Sequence, residues 1–214
     1  MAAMPELVIL YADADLLVCD KPAGLLAVPG RGPDKQDCLS ARVQARYPDA
    51  LVVHRLDMAT SGIMLFGRGA AAQRALSMAF AARRVHKRYV AVVAGRLAAP
   101  ATDWGVIDLP LAPDWPNRPR SRVDPVRGKP SLTRWRVLGR EAGTTRVELE
   151  PVTGRSHQLR VHLAALGHAI LGDPLYGPQP EGDRGGRLLL HASRLRLRHP
   201  GDGRELDFAS RVPF

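Results

Sequence analysis

The sequence predicts an α+β fold, on three observations. Leu132 to Val137 and Thr145 to Glu150 alternate apolar and polar side chains as antiparallel strands do. Shorter β-prone runs flank turn-forming residues near both ends of the chain. Three segments, Leu39 to Tyr47, Ala70 to Arg84 and Ser156 to Leu166, carry helical spacing or an Ala-rich composition instead.

Glu6 to Tyr11 and Leu16 to Asp20 read as two short strands parted by the polar turn Ala12-Asp13-Ala14-Asp15. Lys21-Pro22-Ala23-Gly24 forces a turn, and Val28 to Pro33 has the composition of a loop. The helix from Leu39 to Tyr47 is stopped by Pro48. Leu51-Val52-Val53 is a short buried strand, and Gly62 to Phe66 is another. The helix from Ala70 ends in the basic run Arg83 to Arg88, which suits the negative pole of a helix dipole. Tyr89 to Ala94 is β-prone, and the Pro-rich stretch from Gly95 to Pro130 is expected to be a long, mostly irregular excursion. Ser156 is the expected N-cap of the third helix, with Leu159, Leu163 and Leu166 on one face and Gly167 ending it. Leu188 to Ala192, Leu195 to Arg198 and Glu205 to Phe208 supply closing strands.

At 214 residues, with 45% hydrophobic and 24% charged side chains, the chain is most simply one soluble domain, with room for a small subdomain. No apolar run approaches the roughly 18 residues of a membrane span, and the first ten residues lack the basic start of a secretory signal. A cytoplasmic protein without a membrane partner is expected. Cys19 and Cys38 form no CxxC pair, which argues against a disulfide framework or a thiolate zinc site and for buried, reduced thiols. The net charge of +10 points to a polyphosphate partner, RNA or DNA. The excess is concentrated from Trp115 to Arg140, where Arg118, Arg120, Arg122, Arg127, Lys129, Arg134, Arg136 and Arg140 face the single acid Asp124. Such a run reads as a phosphate-facing surface or as a solvated basic loop.

The chemistry centres on His54-Arg55-Leu56-Asp57-Met58-Ala59-Thr60-Ser61-Gly62. Asp57 lies on the connection between two apolar strands, at the lip of a core. Thr60, Ser61 and Gly62 are turn-formers able to hydrogen-bond a carboxylate. Asp57 is then either an oriented, reactive carboxylate or a plain turn cap. Arg155 opens a helix, where a cation works against the dipole unless an anion engages it; a solvent-facing arginine is the other reading. A metal site built from His54, Asp57, His157 and His162 is disfavoured, because His157 and His162 are five residues apart rather than the four of a helical zinc pair. Neither a P-loop nor GxGxxG occurs, so no cofactor is indicated and side chains must do the chemistry.

These segments resemble a known family. His54 to Gly62, the triplet Lys87-Arg88-Tyr89, and Thr153 to His162 followed by Gly172-Asp173-Pro174-Leu175-Tyr176 are similar, in that order, to the signatures of the RluA family of pseudouridine synthases. Lys21 to Gly24 and Asp108 to Pro119 look like the branch that modifies both rRNA and tRNA. The likeness spans nearly the whole chain, read as one catalytic domain from residue 1 to 214 without the S4-like RNA-binding module of some relatives.

The resemblance implies a mixed, largely antiparallel central sheet with flanking helices and a catalytic cleft, and isomerisation of a uridine in an rRNA or tRNA stem-loop. Asp57 takes the place of the family's catalytic aspartate, Tyr89 of its active-site tyrosine and Arg155 of the arginine that pairs with the aspartate. Arg55 corresponds to the arginine beside the displaced base. His54, Thr60, Lys87, Arg118, Arg120 and His157 are further candidate RNA contacts. A monomer without cofactor or metal is expected. The target base must leave its stack, which costs a few kcal/mol and favours loops.

Overall fold

The computed structural model describes residues 6–177 and 186–214. Among them the chain runs β1 (Val8–Ala12), β2 (Leu16–Lys21), α1 (Leu39–Arg46), β3 (Ala50–Val52), β4 (Ser61–Arg68), α2 (Gly69–Ala81), β5 (His86–Ala94) and β6 (Gly105–Asp108). It continues through β7 (Leu111–Pro113), β8 (Ser121–Val123), β9 (Leu132–Glu141), β10 (Thr144–Pro151), α3 (Gln158–Ala165), β11 (Leu190–Arg198) and β12 (Glu205–Ala209). The chain forms two compact units, one of residues up to Lys87 with Ala192–Pro213, the other of Arg88–His191 with Phe214. It passes between them inside β5 and again inside β11.

In the first unit, strands follow the order β1-β2-β4-β11, with β3 beside β4 and β12 beside β11. The β1–β2, β2–β4, β3–β4 and β11–β12 pairs are antiparallel. β4 is buried from Ser61 to Gly67, as its nearly unbroken apolar run requires. Leu16, Val18, Ile63, Leu65, Leu195 and Leu197 meet Leu76 of α2 and Val85 in one core. Gly62, at φ 112, is obligatory there: a Cβ on it would run into the backbone of Ala192. Both cysteines are buried and free, and burial pushes the Cys19 thiol up to about 12, which makes it inert.

The helix expected to reach Arg84 stops at Ala81. The Arg83 amide donates to the Phe80 carbonyl (3.1 Å) and the Arg84 amide to that of Ala79 (2.9 Å), a Schellman close with Arg83 at φ 57.

In the second unit the order is β5-β10-β9-β6, with antiparallel β5–β10, β10–β9 and β6–β9 pairs. β10 alternates half-buried and buried positions, as its sequence predicts. Thr133, Trp135, Val147 and Leu149 line its buried face, and α3 packs on β9 and β10. The stretch expected to be irregular instead contains β6 and the antiparallel β7–β8 pair. These strands are only three or four residues long and lie among prolines and glycines, so their apolar period is too brief to stand out. α3 is shorter than expected and begins at Gln158, after His157 in the left-handed conformation at φ 55; Ser156 is not its cap. Gln158 to Leu163 are all buried, so α3 is a core helix rather than a one-faced one. Glycine closes it as expected, Gly167 at φ 80.

Candidate active site

In the first unit Asp57 is half-buried on the connection into β4. The Thr60 amide donates to the Asp57 backbone carbonyl (3.1 Å), making a tight turn, and the adjacent Leu56, Thr60 and Ser61 are buried. Anchoring comes from a residue whose role the sequence hides. Lys21 is fully buried, and its ammonium donates to the carbonyls of Pro22 (2.9 Å), Leu25 (2.7 Å) and Met58 (3.0 Å). The Gly24 amide donates to the same Met58 carbonyl at 2.9 Å. A buried charge is tolerable only when hydrogen-bonded, so the ammonium fixes the backbone next to Asp57 while the Met58 side chain stays in solvent. Its signal in the sequence, a lysine closing an apolar strand just before Pro-Ala-Gly, is indistinguishable from a turn.

His54 faces inward. Its ring stacks on Phe80 at 4.6 Å, and its Nε2 accepts from the Leu65 amide at 3.0 Å, which fixes a neutral imidazole with the proton on Nδ1. Burial, with a smaller push from Lys87, lowers its pKa to about 3. Lys87 is half-buried with its ammonium 6.0 Å from the Phe80 ring centroid, and burial lowers its pKa as well. Arg55 is exposed.

In the second unit Tyr89 is in register with Leu149, and Leu149 with Trp135, so the three share the buried face of the sheet. Arg155 is exposed. Its Nε donates to the Pro130 carbonyl (3.3 Å) and its amide to Gln158 Oε1 (3.0 Å). Gln158 bolts this turn to β9: it accepts from the Thr153 hydroxyl (2.7 Å) and donates to the Leu132 carbonyl and Thr133 Oγ1, both at 3.0 Å.

Beyond the turn lies a network that spacing did not reveal. Arg160 and Asp173 form a buried ion pair (2.7 Å), and Asp173 also accepts from the Leu175 and Tyr176 amides. Burial alone would raise the Asp173 pKa, but Arg160 and the two amides lower it. The Tyr176 hydroxyl meets His157 Nδ1 (2.7 Å) and accepts from the Ser121 amide (2.7 Å). Arg120 donates to the Leu175 carbonyl. The start of β8 is thereby tied to α3 and the turn after it. His162 is spent inside, between Thr133 Oγ1 (2.9 Å) and the Leu109 carbonyl (3.0 Å).

Folding redistributes the charge of the basic stretch. Arg134 and Arg136 pair with Glu150 (3.4 Å) and Glu148 (2.8 Å) of β10, and Arg88 bridges both acids. The three guanidiniums surround Trp104 at 4.3 to 5.2 Å. Arg122 pairs with Asp124, and Arg140 donates to the Leu97 carbonyl. Arg118, stacked on exposed Trp115 at 3.9 Å, Arg127 and Lys129 are exposed with no acidic partner among the described residues. Among those residues no helix is long and apolar enough to cross a membrane.

A family model described as RNA pseudouridylate synthase matches residues 15–165. The chain is 46% identical over 209 residues to a dual-specificity RNA pseudouridine synthase RluA of Yersinia pestis, covering 97% of this chain and all of that protein. It is 47% identical over 211 residues to the protein of that name from Escherichia coli K12, covering 98% and 95%. Among solved structures, human RNA pseudouridylate synthase domain containing 1 superposes with a TM-score of 0.77 at 32% identity, covering 98% of this chain and 84% of that one.

Proposed function

The chain belongs to the RluA family of pseudouridine synthases and is an RNA-modifying isomerase, and from that premise we propose that it converts a uridine in a stem-loop of 23S rRNA, a tRNA anticodon arm or both, with Asp57 as the catalytic carboxylate. The isomerisation breaks the bond from N1 of uracil to C1′, joins C5 to C1′, releases the C5 proton and leaves a proton on N1. No atom is gained or lost, and a carboxylate suffices to start it, by attack at C1′, by addition to C6 or by removal of a sugar proton.

The observation that carries the reading is the fixed backbone at Met58. The backbone that carries the Asp57 carboxylate is fixed before substrate arrives, and such preorganisation is what this chemistry needs. Tyr89 is proposed to stack on the uracil and relay the C5 proton, and Arg155 to supply the supporting guanidinium. Arg55, Thr60, Lys87, Arg118, Arg120, His54 and His157 are proposed to shape or contact the RNA. For His54 that role is indirect: its ring is used by Phe80 and Leu65, so it supports the Asp57 connection. The same reading makes the protein a cytoplasmic monomer with a single catalytic domain.

The test is release of tritium from RNA labelled at C5 of uridine, in EDTA. Wild-type protein releases it without strand cleavage, and Asp57→Asn keeps its RNA affinity while losing on the order of 10⁴-fold in turnover or more. Normal turnover in that variant refutes the assignment.

A further inference from the structure

Arg83, Arg84 and His86 of the basic run after α2 have no part in the chemistry above. Arg83 and Arg84, with Arg196 and Arg198 of β11 and the histidines 86 and 199, line an open groove of about 740 Å³ in the first unit. Two acids share it. Asp207 is engaged by Arg194 (2.6 Å) and Arg196 (3.4 Å), and Glu205 stands opposite Arg198 in the β11–β12 ladder without a close ion pair. His199 is held by Asp13 at 2.9 Å, with Asp15 (3.8 Å) and Asp202 (3.1 Å) nearby. Arg83, Arg84 and Arg198 are exposed with no acidic partner within 4 Å among the described residues.

A second observation singles out Arg83. Two helices of this chain end in the same Schellman arrangement. After α3 the left-handed position is Gly167; after α2 it is Arg83, at φ 57. A side chain there carries a steric cost that glycine would not. The conformation sends a guanidinium to the rim of the groove at the expense of stability, and strain of this kind is a pointer to a side chain used for its chemistry.

The Arg198–His199 end of the groove is remote from Asp57. β4 starts four residues after Asp57 and ends at Arg68, whose amide donates to the Asp15 carbonyl (2.8 Å), beside the aspartates that hold His199. Seven strand steps separate those ends, roughly 23 Å.

We propose that this groove is an auxiliary binding surface for the phosphodiester backbone of RNA beyond the target loop, with Arg83, Arg84 and Arg198 as its phosphate contacts. The inference rests on the RNA-isomerase reading for the identity of its partner. A short hairpin seated at Asp57 does not extend to the Arg198 end of the groove, whereas a larger folded RNA does. An acidic polypeptide is the rival occupant.

The probes are an unmodified whole-tRNA transcript and its excised anticodon-arm stem-loop, with binding read by fluorescence anisotropy and turnover by tritium release. In Arg84→Ala/Arg198→Ala, affinity for the whole transcript falls roughly three- to tenfold and the slope of log K against log salt shrinks by about 1.5, while stem-loop affinity falls less; Arg198→Ala alone weakens binding of the transcript and leaves that of the stem-loop unchanged. KM for the transcript rises with kcat retained. Arg83→Gly raises Tm yet weakens binding of the transcript, a combination that a purely structural residue does not give. Unchanged affinity and slope in the double variant overturn the proposal, as does displacement of the transcript by poly-glutamate as effectively as by RNA duplex at equal charge. Absence of tritium release from both RNAs in the wild type would sink the uridine reading, and the anisotropy comparison would still decide the groove.

Discussion

Lys21 shows how a charge can be more useful buried than exposed. Its ammonium fixes the Leu25 carbonyl and, with the Gly24 amide, the Met58 carbonyl beneath the Asp57 connection. Lys21→Met keeps the volume but strips these acceptors, and is expected to cost about 2–4 kcal/mol in urea unfolding. Because the carboxylate next to Met58 loses its footing, kcat should fall more than KM rises; a variant with wild-type kcat removes Lys21 from the positioning role. His54 makes a pH prediction. Folding lowers its pKa from the ordinary 6.5 to about 3, so below pH 6.5 the unfolded chain takes up a proton that the folded chain refuses. Stability is therefore lost as pH falls, by up to about 1.4 kcal/mol per unit. His162, also lowered by burial, contributes in the same window. His54→Gln, which can still accept from the Leu65 amide, should flatten the slope of unfolding free energy between pH 6.5 and 4.5, and an unaltered slope would show that the ring is not held neutral.

The β7–β8 pair is built from segments of three residues each, so its position depends on tethers rather than on its own ladder. The Tyr176 hydroxyl is one such tether, accepting from the Ser121 amide and meeting His157. Tyr176→Phe is expected to speed hydrogen exchange at the Ser121 amide roughly tenfold, with α3 amides little affected; equal protection in the variant would mean that the hydroxyl holds nothing. The same elements mark the limit of what the sequence discloses. The long strands, α1 and the glycine-closed end of α3 follow from periodicity and punctuation. β6 to β8 do not, because they are shorter than the window in which a period can be recognised. The Asp57 segment is legible as a motif, but its anchor is not: Lys21 and Met58 are 37 residues apart, and only tertiary structure brings a lysine to a carbonyl. The αL cap at His157 and the Arg83 close are likewise set by context that overrides the ordinary preference for Ser and Gly.

Across the molecule, charge is distributed less simply than the count of +10 suggests. Arg134 and Arg136 belong to the most basic run of the sequence yet face Glu148 and Glu150, whereas Arg118, Arg127 and Lys129 have no such partners among the described residues. Arg118→Ala/Lys129→Ala should therefore reduce the salt slope of stem-loop binding by about 0.7 for each phosphate no longer neutralised. Arg134→Ala/Arg136→Ala should leave it unchanged; the reverse ranking would place the phosphate-facing surface on the paired face of the sheet. The placement of the tryptophans carries one more consequence. All three, Trp104 among the guanidiniums, exposed Trp115 and buried Trp135, fall within Arg88–His191, and the first unit has none. Indole emission is thus a spectroscopic label for one half of the protein alone. Melting curves followed by that emission and by far-ultraviolet dichroism will coincide if the halves unfold as a single cooperative body, and will separate if one outlasts the other.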